Sequence, residues 1–103
     1  MTTCHASSIV FDGHTLSWFG PEGANWNIPV ERLRAIRERV GESGDVRWVV
    51  AFDIDGEDAE LQSPANANGM DSALVALGRT LNAKLELHLE RAGVSASRVV
   101  WSR

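Results

Sequence analysis

The stretch Pro29-Val30-Glu31-Arg32-Leu33-Arg34-Ala35-Ile36-Arg37-Glu38-Arg39-Val40 decides the fold, because it can be read at two periods. Val30, Leu33, Ile36 and Val40 recur at helical spacing, while Ile36 and Val40 also fit an alternating strand. A helix here would place proline at its favoured first position and pair Arg34 with Glu38 one turn apart. The pattern taken alone leans helical, and the choice is worth one strand to any sheet.

Downstream the reading is firmer. After Gly41-Glu42-Ser43-Gly44, the run Asp45 to Ile54 puts Val46, Trp48, Val50, Phe52 and Ile54 on one face at period two. Val49 and Ala51 point the other way, which suggests a central strand with some cover on both sides. Asp55-Gly56 is a tight-turn signal, and it leads into Glu57 to Ser63, an acidic strand expected at a sheet edge. Ser63 to Gly69 is loop by composition. A helix is then expected from Met70 to Ala92, about 34 Å long at the standard rise. Its apolar stripe is Met70, Leu74, Leu77, Leu81, Leu85 and Leu89, and Gly93 with Val94 reads as its stop. Arg98-Val99-Val100-Trp101 reads as a last strand.

Upstream, Ser8 to Phe11 and His14 to Phe19 flank Asp12-Gly13, which predicts a hairpin with Leu16 and Trp18 on one face. Gly20-Pro21-Glu22-Gly23 is a turn by composition, and Trp26 with Ile28 share a face of a third strand. The expected core is Val10, Leu16, Trp18, Trp26, Ile28, Trp48, Val50, Phe52, Leu74, Leu77, Leu81 and Leu85. The expected fold is α+β: a bent antiparallel sheet or roll of five to seven strands with one long C-terminal helix packed on it.

Composition narrows function by exclusion. The chain has 103 residues, enough for one core, so residues 1–103 are read as a single globular domain with residues 1–6 mobile. Ten Lys and Arg against 14 Asp and Glu give a net charge of -4, which offers phosphate backbones and anionic membranes no electrostatic attraction. The apolar run Val49 to Phe52 is far short of a membrane span, and no basic segment followed by an apolar stretch opens the chain. Cys4 is the single cysteine, so an intramolecular disulfide is impossible and a cytoplasmic location is expected.

Two Asp-Gly hairpins, a Trp-x-Ile-Pro segment at Trp26 to Pro29, Ile36 and a long helix after the sheet together resemble small bacterial pleckstrin-homology-like modules. The resemblance covers about Ser8 to Leu81. It implies a bent antiparallel roll closed by the helix, with Leu33 to Val40 a strand rather than a helix. It also implies a domain that binds proteins or lipids and does no chemistry. The chain departs from that pattern in the strand at Val99 to Trp101 and in lacking a basic loop between the first strands.

No constellation of catalytic groups stands out. Cys4, His5 and His14 are metal-ligand types at spacings that match no known two-ligand turn or helix motif, so no metal is expected. Asp53-Ile54-Asp55-Gly56-Glu57-Asp58 superficially follows a calcium loop, but Asp58 and Pro64 occupy the sixth and twelfth places where Gly and Glu are required. His88 falls beside the helix stripe and reads as a core histidine. Arg32, Arg34, Arg37 and Arg39 are interspersed with Glu31, Glu38 and Glu42, which reads as a mixed solvated face.

The functional expectation is therefore a non-catalytic protein-interaction module of bacterial or phage type, with no cofactor. One alternative is a small acidic inhibitor or immunity-type protein that sequesters a basic partner. The other is a small metal-dependent enzyme built on Cys4, His14 and the acidic turns. The expected binding surface is Asp53, Asp55, Glu57, Asp58 and Glu60, with Phe19 and Trp101 as aromatic anchors. Pairing of two copies through an edge strand is the competing association.

Overall fold

A computed structural model describes residues 2–5, 7–20, 25–41, 45–85 and 96–103. These form eight strands in two sheets with one helix, rather than a single sheet with a long C-terminal helix. β1 (Thr2–His5), β5 (Leu33–Val40), β6 (Val46–Ile54), β7 (Glu57–Pro64) and β8 (Ala96–Ser102) make one sheet in the order β1-β7-β6-β5-β8. β2 (Ser8–Phe11), β3 (Thr15–Phe19) and β4 (Asn25–Pro29) make the other. β1 runs parallel to β7, so the acidic strand expected at an edge is flanked on both sides.

The ambiguous stretch is a strand. A 3-10 turn at Val30–Arg32 leads into β5, which pairs with β6 on one side and β8 on the other. The helical spacing has a specific cause. The β5–β6 register shifts between Leu33 and Ala35, so Leu33 and Ile36, three residues apart, both turn inward past the irregularity. Beyond it the alternation is regular: Ile36, Glu38 and Val40 face in, Arg37 and Arg39 face out.

The two sheets face each other across the core. Leu16, Trp18, Ile28, Ile9 and Phe11 meet Ile36, Trp48, Val50, Phe52 and Leu61, and Trp18 contacts Phe52 edge-on at 5.5 Å between ring centres. Val10, expected inside, is 56% exposed, because the register pairs Ile9 with Trp18 and Phe11 with Leu16 and so turns Val10 outward. Trp26, also expected inside, is 37% exposed and stacks on Trp18 from the edge strand at 6.5 Å.

The α-helix, α1 (Met70–Leu81), follows β7 and precedes β8 in the chain, buries Met70, Ala73, Leu77 and Gly78, and packs on β2. It is pinned there because the Ile9 N–H donates to the Asn68 carbonyl at 2.9 Å. It stops eleven residues before the expected Ala92. Asn82 takes a left-handed conformation at φ 53, and the N–H groups of Asn82 and Ala83 donate to the carbonyls of Arg79 and Gly78. The returning chain passes so close that a Cβ on Gly78 would sit 2.8 Å from the Ala83 carbonyl oxygen. The leucine stripe thus overran a complete helix stop. Leu89, His88, Gly93 and Val94 lie outside the described residues. No helix among the described residues is long and apolar enough to cross a membrane.

The two Asp-Gly pairs make different turns. At Asp55-Gly56 both residues have positive φ, 51 and 86, and Ile54 pairs with Glu57, the geometry of a two-residue type I′ hairpin. At the other, Asp12 precedes the turn: its Oδ1 accepts the N–H groups of His14 and Thr15 at 2.8 Å, and Gly13-His14 make the bend. Donation from Thr15 and then His14 holds the Asp12 carboxyl below its usual range.

Candidate functional site: the outer face of the five-stranded sheet

Strand alternation gives the larger sheet an outer face that α1 does not cover. Along β7 it carries Asp58, Glu60 and Gln62, along β6 Arg47, Val49, Ala51 and Asp53, along β5 Arg37 and Arg39, and along β8 Ser97 and Val99. Charge is segregated on it. Carboxylates gather toward the β6–β7 turn, and arginines gather at the opposite end of β5 and β6.

At the acidic end the expected residues behave differently from one another. Asp53 stands directly across from Asp58. Its Oδ2 lies 3.6 Å from Arg34 and 3.9 Å from Arg32, while its Oδ1 is buried with no hydrogen-bond partner. Glu60 accepts a hydrogen bond from the Gln62 amide at 2.9 Å. Asp55, Glu57 and Asp58 are exposed at or beside the turn, and none forms an ion pair among the described residues. The aromatic candidates lie elsewhere. Phe19 is 45% exposed on the outer face of the three-stranded sheet, and Trp101 is half-buried on β8, separated from β7 by β5 and β6, with the Arg103 guanidinium 5.5 Å from its ring centre.

The sequence pattern assigns Arg37 and Arg39 to a mixed solvated face because it places Glu38 beside them. In a strand it is on the other side. Glu38 is fully buried and ion-paired to Arg98 of β8, leaving Arg37 and Arg39 on the outside. Arg39 stands directly across from Arg47, and Arg37 stands between Val49 and Val99. Alternation within 36–40, had the stretch been read as a strand, was the signal that would have found them.

Among the described residues no group of three or more His, Cys, Asp or Glu could hold a metal ion. The interior void lined by Ile9, Ile36, Trp48 and Leu77 is only about 10 Å³, too small for an organic ligand. A wide groove beside α1 is lined by Leu74, Val75, Arg79 and Leu85, with Asp71 and Lys84 also on its wall. Comparison of the chain with protein-family models, curated proteins and solved structures finds no match.

Proposed function

We propose that this chain is a non-catalytic protein-interaction module that docks a basic partner at the β6–β7 turn, through Asp55, Glu57 and Asp58, of which Asp58 lies on the outer face of the five-stranded sheet. The observation that carries the reading is the exposure of three carboxylates without an internal cation on a turn of fixed geometry. A rigid hairpin presents charge without an ordering cost on binding, and unpaired rim charges accelerate encounter with a partner of opposite sign. Asp53 and Glu60 support the turn more than they offer charge, since each already has a partner. In its most specific form the module sequesters a basic protein, as inhibitor or immunity-type proteins do, and its setting is the reducing cytoplasm.

The test is affinity capture from the native host with the intact chain, followed by size-exclusion chromatography with light scattering. A basic protein captured by the wild type and lost with Asp55→Asn, Glu57→Gln and Asp58→Asn combined is the expected result. Capture that survives those changes, or recovery of a homodimer alone, overturns the reading.

A further inference from the structure

The arginine end of the same face poses a chemical question that the acidic turn does not answer. Arg39 and Arg47 are held directly opposite each other by the β5–β6 register, and Arg37 lies two residues along β5 on the same side. Among the described residues none of the three forms an ion pair. This happens in a chain with 14 acidic and 10 basic side chains, where carboxylates are plentiful. The nearest acid in sequence, Glu38, is turned inward to Arg98. Beside Arg39 and Arg47 a depression of about 180 Å³ is completed by Gly41, Asp45 and Gln62, with the Gly41 N–H closing the loop onto the Asp45 carbonyl at 2.9 Å. Asp45 at the rim has an interaction of its own. Val49 and Val99 flank Arg37 and give the patch an apolar floor and margin.

Like charges directly opposite each other on a ladder repel, and each arginine presents a planar fork that suits an oxyanion in bidentate fashion. An external anion placed between them relieves the repulsion and adds counter-charge beyond that of Asp45. The spacing says more. Arg37 and Arg39 are separated by two residues of strand, about 6.6 to 6.8 Å. An extended peptide with an acidic side chain at every second residue repeats its carboxylates at the same distance.

We propose that Arg37, Arg39 and Arg47 form a docking site for an extended acidic segment of a protein partner, one carboxylate seated between Arg39 and Arg47 and the next on Arg37. A nucleic acid fits less well. Its phosphates continue past the patch, and on this face they would meet Glu60 and Asp58 on a molecule of net charge -4. This inference rests on the protein-binding reading above and adds to it a second pole of opposite sign, so that a partner bound at both poles is held in one orientation.

The test is titration of the full isotopically labelled chain, at low ionic strength, with a short synthetic peptide alternating Glu and Thr, followed by amide NMR shifts. The expected result is saturable, salt-sensitive binding that moves the amides of Arg37, Arg39, Arg47 and Gln62. Combined Arg39→Gln and Arg47→Gln should weaken it about tenfold or more, while the rest of the spectrum stays that of the folded wild type. Combined Asp58→Asn and Glu60→Gln should leave it unchanged or tighter. Lack of saturation, wild-type affinity in the Arg39→Gln, Arg47→Gln variant, or tighter binding of oligothymidylate at the same amides overturns the proposal. If the peptide fails while a captured partner still depends on Asp55, Glu57 and Asp58, the arginine site alone is refuted. If the peptide binds and no partner is captured, the acidic-turn reading fails and the arginine site stands.

Discussion

At one end of β6 Asp53 stands directly across from Asp58, and at the other Arg47 stands directly across from Arg39. Both are like-charge pairs in an antiparallel ladder, an arrangement that costs stability unless something neutralises it. The acidic pair has its remedy within the chain, since Arg32 at the end of the 3-10 turn and Arg34 at the start of β5 reach Asp53. The arginine pair has none among the described residues. The difference teaches that formal net charge says little about where free charge sits: a chain of net charge -4 leaves a cationic end open.

The ladder that holds both ends is anchored by Trp48, buried on the inner face between them and opposite Glu38. Replacing Trp48 by Ala should cost about 3 to 5 kcal/mol, the usual range for truncating a buried ring. Denaturant unfolding measures it. A loss below about 1 kcal/mol would mean that the sheets do not depend on this ring, and both ends would have to be held by something else.

The next effect comes from the charge turned inward. Glu38→Gln removes the carboxylate from a fully buried site and leaves Arg98 without it. A loss of about 1.5 to 3 kcal/mol is expected, the range for hydrogen bonds to charged groups. Glu38→Gln should therefore be far more damaging than Arg39→Gln one residue on. Equal effects would show that the two positions do not differ in environment and would erase the inward-outward division of β5.

That division is also the measure of what the sequence discloses. Asp45 to Ile54 was legible because its alternation is unbroken and its inward residues are apolar, and Trp48, Val50 and Phe52 are buried as expected. Leu33 to Val40 was not, for two physical reasons. The register irregularity brings Leu33 and Ile36 to the same side at helical spacing, and a buried Glu at 38 hides the alternation of Ile36 and Val40. Reading the stretch as a helix then mixed Glu38 with the arginines and concealed the cationic end. The helix end was obscured by a similar competition, because Leu85 and Leu89 extend the apolar stripe past Asn82, a less common residue than glycine for the left-handed stop. The acidic turn was legible, since Asp-Gly carries its own backbone chemistry. That Asp53 is neutralised and Asp58 is not depends on contacts between separate strands, which no local pattern contains.

At the acidic end, removing the internal remedy should show what it was worth. Combined Arg32→Gln and Arg34→Gln should destabilise by about 0.5 to 1 kcal/mol, as befits exposed ion pairs. Asp53→Asn in that background should recover part of the loss, because the uncompensated carboxylate opposite Asp58 is then gone. Unfolding midpoints at low salt test both steps, and no loss in the first would place the arginines outside the energetics of the turn.

The smallest effect has the opposite sign and bears most directly on the open pole. A double-mutant cycle on Arg39→Gln and Arg47→Gln isolates the coupling between the two guanidinium groups. If they repel, whichever arginine is removed first relieves the repulsion, and removing the second gains nothing further from it. The expected coupling is unfavourable by about 0.2 to 0.5 kcal/mol at low ionic strength, the low end of the range for facing residues, since both side chains reach solvent. It should fade in about 1 M salt, where screening acts within roughly 3 Å. Neither substitution should lower stability by more than about 0.5 kcal/mol, in contrast to the loss at Arg32 and Arg34. A favourable coupling would mean that the two planes stack and already satisfy each other, and the pair would then need no anion from outside.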